Sequence, residues 1–162
     1  MLERRQRGLT LIELCFGLAI VALLSGLAAP GFRATLRAAA VRAAAHELMT
    51  GLQQARGEAI TASRPSVLCP SDALGCLAAG AGAQAWQRFL EKPTEPGALH
   101  TLARGITLRA TRSPVRFWPG SLSATTTTLT ICDDQRVATP RAIVISQTGR
   151  ARFAAADFAD CA

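Results

Sequence analysis

The chain predicts an α+β fold in which one long N-terminal helix packs across an antiparallel β-sheet. Three observations carry that prediction. Residues 9–29 are almost wholly apolar, with Glu13 the only charge. From Phe32 to about residue 62, apolar side chains recur every three or four positions, the period of an amphipathic helix. Beyond Pro65 that period gives way to short β-like runs separated by Pro- and Gly-rich turns. The 162 residues suffice for one compact domain. A hydrophobic fraction of 49% excludes a disordered chain, and two His with no Tyr leave little from which to build a catalytic or metal site.

The N-terminal eight residues, MLERRQRG, are short and basic. The 21 residues after them, 9–29, span about 31 Å as a helix at 1.5 Å per residue, roughly the hydrocarbon thickness of a bilayer. The Arg cluster predicts a cytoplasmic N-terminus, with the chain after residue 30 exported. A secretory signal peptide cut near Ala28 is the competing reading, but an acid four residues into its apolar core is awkward. Glu13 is costly in such a segment and so marks a functional position.

Gly8 followed by Leu9-Thr10-Leu11-Ile12-Glu13 resembles the class III signal of type IV prepilins. That resemblance implies cleavage after Gly8 by a prepilin peptidase, which makes Glu13 the fifth residue of the mature chain. Pro30 falls where these proteins often carry a helix-bending proline. Leu9 stands where Phe is usual. The resemblance implies a leader at 1–8, a transmembrane and filament-core helix at 9–30, and a periplasmic pilin-like domain at 31–162. The implied location is the inner membrane, single-pass, then the cell surface once assembled with other major and minor pilins. In an apolar filament core an unpaired carboxylate is strongly penalised, so Glu13 is expected to pair with a neighbouring subunit's N-terminal ammonium.

In the exported part the helix is expected to bury Phe32, Leu36, Ala40, Ala44, Leu48, Leu52, Ala55 and Ala59 and to end at Arg64-Pro65. Gly51 and Gly57 each cost roughly 1 kcal/mol relative to Ala, so the last turns should be the weakest. Strands are expected at 66–69, 86–90, 106–111, 115–118, 125–132 and 142–147, and a flexible loop at 77–85. His46 and the pair Asp133-Asp134 are expected in solvent, and Trp86 and Trp118 in the core.

Setting aside Cys15 in the apolar helix, four cysteines remain, an even number that fits two disulfides in an oxidising compartment. Three connectivities are possible. The favoured one joins Cys69 to Cys76, closing a short loop, and Cys132 to Cys161, pinning the tail to a strand. No CxxC pair supports zinc, and no motif supports a metal or other cofactor.

The strands around Val67-Leu68-Cys69, Trp86, Val115–Phe117 and Ala142–Ile145 are similar to the FimT/GspH group of minor pilins and pseudopilins. Gly149-Arg150-Ala151-Arg152 matches the GRxR motif of the FimT branch, where it is associated with DNA binding in natural transformation. Between 99 and 152 there are eight Arg against Asp133 and Asp134. In extended chain Arg150 and Arg152 point to one side, and two guanidinium forks suit phosphate oxygens without reading bases. Arg109, Arg112, Arg116 and Arg141 are the candidates for enlarging that patch. No nucleophile elbow, paired-His helix or phosphate loop is present, so the chain reads as a non-enzyme. The resemblance favours a minor pilin binding double-stranded DNA. The alternative is a structural pseudopilin of a type II secretion tip.

Overall fold

A computed structural model of the protein describes residues 10–72, 75–91, 97–120 and 123–162. The chain divides into two compact units, the first ending at Thr35 and the second running from Leu36 to Ala162. The long helix α1, Leu11–Thr61, contributes to both.

In the first unit, the Thr10 hydroxyl accepts the Glu13 N–H at 3.4 Å and satisfies one of the donors that open a helix. The side chains of residues 11–26 are exposed, large apolar ones such as Leu11, Phe16 and Leu23 among them. Among the described residues no single helix is long and apolar enough to cross a membrane; Leu11–Gly26 and Gly31–Thr61 meet that test only together. The leader, Gly8 and Leu9 lie outside the described residues, as does the side chain of Pro30.

In the second unit, α1 buries one stripe: Val41, Ala44, Ala45, Leu48, Leu52, Ala55 and Ala59. The expected stripe also held Phe32 and Leu36, but both are exposed, and the fully buried stripe begins at Val41. Two antiparallel sheets, not one, receive it. The first has the order β2–β1–β3–β4, formed by Gly75–Cys76, Ser66–Asp72, Ala85–Leu90 and Ala98–Thr101, with β6 (Val115–Phe117) also paired to β1. The second has the order β5–β7–β8–β9, formed by Ile106–Ala110, Thr127–Asp133, Arg141–Ile145 and Ala151–Ala155. Leu68, Trp86 and Val115 of the first sheet join Ile106, Leu108, Leu129, Ile131, Ile143 and Ile145 of the second in one core against the helix.

Four expectations are corrected. Residues 77–85 are not a free loop: Ala83 is buried and exchanges two main-chain hydrogen bonds with Leu108, and Gln84 accepts from Leu102. Small residues let this segment lie flat and join the sheets. Trp118 is 39% exposed, because β6 ends one residue earlier. Asp133 is buried: its carboxylate accepts N–H groups of Gln135, Val137 and Ala138, with the Arg37 guanidinium 3.7 Å away. A carboxylate with three such donors organises the turn after β7 instead of facing water. Gly51, finally, is no weak point. It lies against the Trp86 indole, where a Cβ would stand 2.3 Å from the ring. His46 is exposed, as expected, with its ring edge-on to Phe153 at 5.1 Å.

Disulfides join Cys69 to Cys76 and Cys132 to Cys161. The second ties the closing 3-10 turn, Phe158–Cys161, to β7. Cys15 is free and exposed.

Candidate nucleic-acid interface

The GRxR segment occupies the turn from β8 into the edge strand β9. Ser146 fixes that turn. Its N–H donates to the Arg150 carbonyl at 3.1 Å, its Oγ accepts the Arg150 N–H at 3.2 Å, and its carbonyl accepts the Gly149 N–H at 2.9 Å. Closing the turn places Gly149 at φ +71°, a conformation natural to glycine and strained for other residues. Gly149 is buried over Phe117 and Ala124.

Arg150 and Arg152 are exposed, and neither has an acid within ion-pair distance among the described residues. The register pairs Arg152 with Val144 and Phe153 with the buried Ile143. Side chains alternate across a strand, so Arg152 lies on the sheet face turned away from the helix. Ser146 opposite Arg150 continues that register, which puts Arg150 on the same side. The i, i+2 expectation thus has its geometric counterpart.

The other four arginines are dispersed. Arg141 is exposed but begins β8, five positions from Ser146 and about 17 Å along the strand from the turn. Its register with Ala155 and Ile131 sets it on the helix-facing side. Arg109 donates to the main-chain oxygens of Gly80 at 2.9 Å and Ala162 at 2.8 Å, a latch that holds the tail. Arg116 sits in the other sheet and pairs with Glu91 at 3.2 Å. Arg112 is exposed in the bend after β5, its main chain bonded to the Thr127 hydroxyl. The patch centres on the β8–β9 turn and does not extend as a continuous field through all six arginines.

One cation near the turn escaped the sequence reading. Arg56, on α1, lines a cleft of about 200 Å³ with Leu52, Gln53, Gly149, Arg150 and Ala151. Arg56 is 94 positions from Arg150, and only the packing of α1 under β9 brings them together. The helical period marks Arg56 as lying beside the buried Leu52, but it does not say which strand covers that flank.

Elsewhere, burial lowers the pKa of the Arg88 guanidinium from its ordinary value, and Glu58 supplies its ion-pair partner. Among the described residues no three His, Cys, Asp or Glu gather as metal ligands.

A long N-terminal helix laid on antiparallel sheets, with an apolar exposed first segment and a disulfide-tied tail, defines a pilin-like assembly subunit. The family described as Type II transport protein GspH matches residues 44–149, and the prokaryotic N-terminal methylation motif matches residues 4–29. The chain belongs to the GspH family and is a minor pilin or pseudopilin of the GspH/FimT type with a class III leader. That leader implies processing by prepilin peptidase, membrane anchoring and assembly with other pilins. Two crystal structures of the type IV minor pilin FimU of Pseudomonas aeruginosa share the fold. One has a TM-score of 0.55 at 22% identity, covering 70% of this chain and 87% of that one. The other has a TM-score of 0.54 at 21% identity, covering 70% and 91%. No curated protein sequence matches.

Proposed function

We propose that this minor pilin binds double-stranded DNA without sequence preference, through Arg150 and Arg152, and presents it at a type IV pilus for uptake in natural transformation. One observation carries the reading: two exposed guanidinium groups, with no acid partner among the described residues, share one side of a turn whose main chain is fixed by Ser146. Surface arginines recruited for solubility are usually interspersed with acids. An unneutralised pair on a rigid turn suits phosphate oxygens, and its attraction carries no base information.

The leader is expected to be cut after Gly8, leaving Leu9 as the methylated first residue and Glu13 free to pair with a neighbour's terminal ammonium. The intact mass of the purified protein checks this. A mature chain beginning at Ala29 would instead establish a secretory signal peptide.

DNA binding is tested with the full chain in nonionic detergent, by anisotropy on unrelated duplexes at several salt concentrations. About three neutralised phosphates give a log–log salt slope of roughly −2.7, and Arg150→Ala/Arg152→Ala should make it shallower by about 1.8. Absence of binding at low salt overturns the reading. It would favour the second one, a protein-contacting pseudopilin of a type II secretion tip, which the GspH match over residues 44–149 supports.

A further inference from the structure

The second unit has an end that the DNA reading does not use. Residues 102–105, before β5, and 133–138, after β7, form two turns at the end of the sheets opposite the β8–β9 turn, since β8 runs from one end to the other. The two turns are tied together. The Asp134 N–H donates to the Gly105 carbonyl at 3.0 Å, and the Thr107 hydroxyl donates to the Asp134 carboxylate at 3.1 Å. Arg37 of α1 joins both: it donates to the Arg104 carbonyl at 2.9 Å and lies 3.7 Å from the buried Asp133 carboxylate. This scaffold uses main chain and Arg37, and leaves the Arg104 and Arg136 side chains in solvent. Both are exposed, and neither has an ion-pair partner among the described residues. Arg136 stands at φ +55°, a left-handed conformation that favours glycine, yet the position carries a cation. Asp134 is the one exposed acid in the two turns, and the Thr107 hydroxyl holds it back on β5.

We propose that this end of the second unit docks on an anionic phospholipid surface, with Arg104 and Arg136 on headgroup phosphates and Val137 at the acyl boundary. Charge alone does not choose between a lipid and a nucleic acid, but the apolar neighbours do. Val137, next to Arg136, is 51% exposed, and Leu36, next to Arg37, is 53% exposed. Cations mixed with exposed aliphatic side chains suit a bilayer interface, whereas a phosphate backbone gives the aliphatic groups nothing to bury them. Chain connectivity supplies the bilayer. The apolar run ends at residue 29, eight positions before Arg37, so at most about 29 Å of chain separates them however the units are arranged. The class III leader implies that the run is membrane-anchored. A subunit docked in this way keeps Arg150 and Arg152, at the far end of β8, directed away from the lipid.

The test uses the full chain, oxidised, in nanodiscs of phosphatidylcholine alone or with one-quarter phosphatidylglycerol. A Cys15→Ser background removes the free thiol, and Gln135→Cys carries a fluorescent dye on the turn. Nitroxide lipids should quench that dye in the anionic discs, weakly in the neutral ones, and less as salt rises. The same dye on Thr148→Cys, at the opposite end, should stay unquenched in both. Arg104→Ala/Arg136→Ala should lower the docked-to-undocked ratio about 30-fold, about 5-fold per arginine, the equivalent of ~1 kcal/mol each. Arg104→Lys/Arg136→Lys should keep most of it, because the attraction needs the charge and not the guanidinium fork. Equal quenching in neutral and anionic discs, or none in either, overturns the proposal, as does an alanine pair that quenches like the wild type. Duplex binding in nonionic detergent decides against the other ligand class. If the alanine pair makes the salt slope shallower by about 1.8, the cluster is a nucleic-acid site and the lipid proposal is overturned. An unchanged slope supports the lipid assignment, whether or not Arg150 and Arg152 bind DNA.

Discussion

Truncating Trp86 to alanine is expected to destabilise the second unit by about 3–5 kcal/mol and to reverse the sign of a second substitution, Gly51→Ala. Trp86 is 1% exposed and lies under the helix at Gly51, where a Cβ would stand 2.3 Å from Cη2 and 2.7 Å from Cζ3. The ring is also constrained by His100, its cross-strand partner on β4, whose imidazole stacks on the indole at 4.0 Å and whose Nδ1 lies 3.1 Å from Glu47 Oε1. In the wild-type background, Gly51→Ala therefore overpacks the core at about 1–3 kcal/mol. That outweighs the ~1 kcal/mol that alanine gains as a helix former. With Trp86 truncated the clash is gone and the propensity gain remains, so Gly51→Ala becomes stabilising by up to about 1 kcal/mol. Urea unfolding of the four proteins measures the cycle. Stabilisation by Gly51→Ala in the presence of Trp86 would falsify this account of the glycine.

The same glycine shows where the sequence was legible and where it was not. Periodicity located the helix end within a residue or so, since Arg64-Pro65 closes a run that stops at Thr61. Six strands were visible as β-branched or apolar runs. The three unread strands lacked that signal. β2 is two residues long, Gly75–Cys76, and β4 carries Ala98 and His100 without a β-branched residue before Thr101. β9, Ala-Arg-Phe-Ala-Ala, has no alternation because it is a half-exposed edge. Each is defined by pairing to a neighbour, a long-range fact. Asp133 was misread because an acid in a turn is the same letter whether it faces water or collects three N–H groups. Among the site arginines, the i, i+2 relation of Arg150 and Arg152 is local and could be derived from strand geometry. The latch of Arg109, the Glu91 partner of Arg116 and the approach of Arg56 depend on which segments the two sheets bring together.

The tail offers the other large effect. Cys132→Ser/Cys161→Ser is expected to destabilise the second unit by up to about 3.6 kcal/mol, against about 2.5 kcal/mol for Cys69→Ser/Cys76→Ser. The difference follows from loop length: 29 positions separate the first pair and 7 the second, and the longer closure removes more freedom from the unfolded chain. The native state sets the ceiling. Once unbridged, residues 157–162 keep the Arg109 bond to Ala162 and the short turn at Phe158–Cys161. One net hydrogen bond contributes about 1 kcal/mol, less than the ~1–2 kcal/mol of backbone entropy that each ordered residue costs. The tail should therefore detach locally while the sheets remain folded, which returns part of the lost stability. Detachment uncovers the cleft of about 440 Å³ that Arg109, Thr128, Val144 and Asp160 line beneath it. Two readouts separate these contributions: the urea midpoint for global stability, and chymotryptic cleavage after Phe158, which should be fast only without the Cys132–Cys161 bond. A smaller midpoint loss for this pair than for Cys69–Cys76, with Phe158 still protected, would mean that packing rather than the bridge holds the tail.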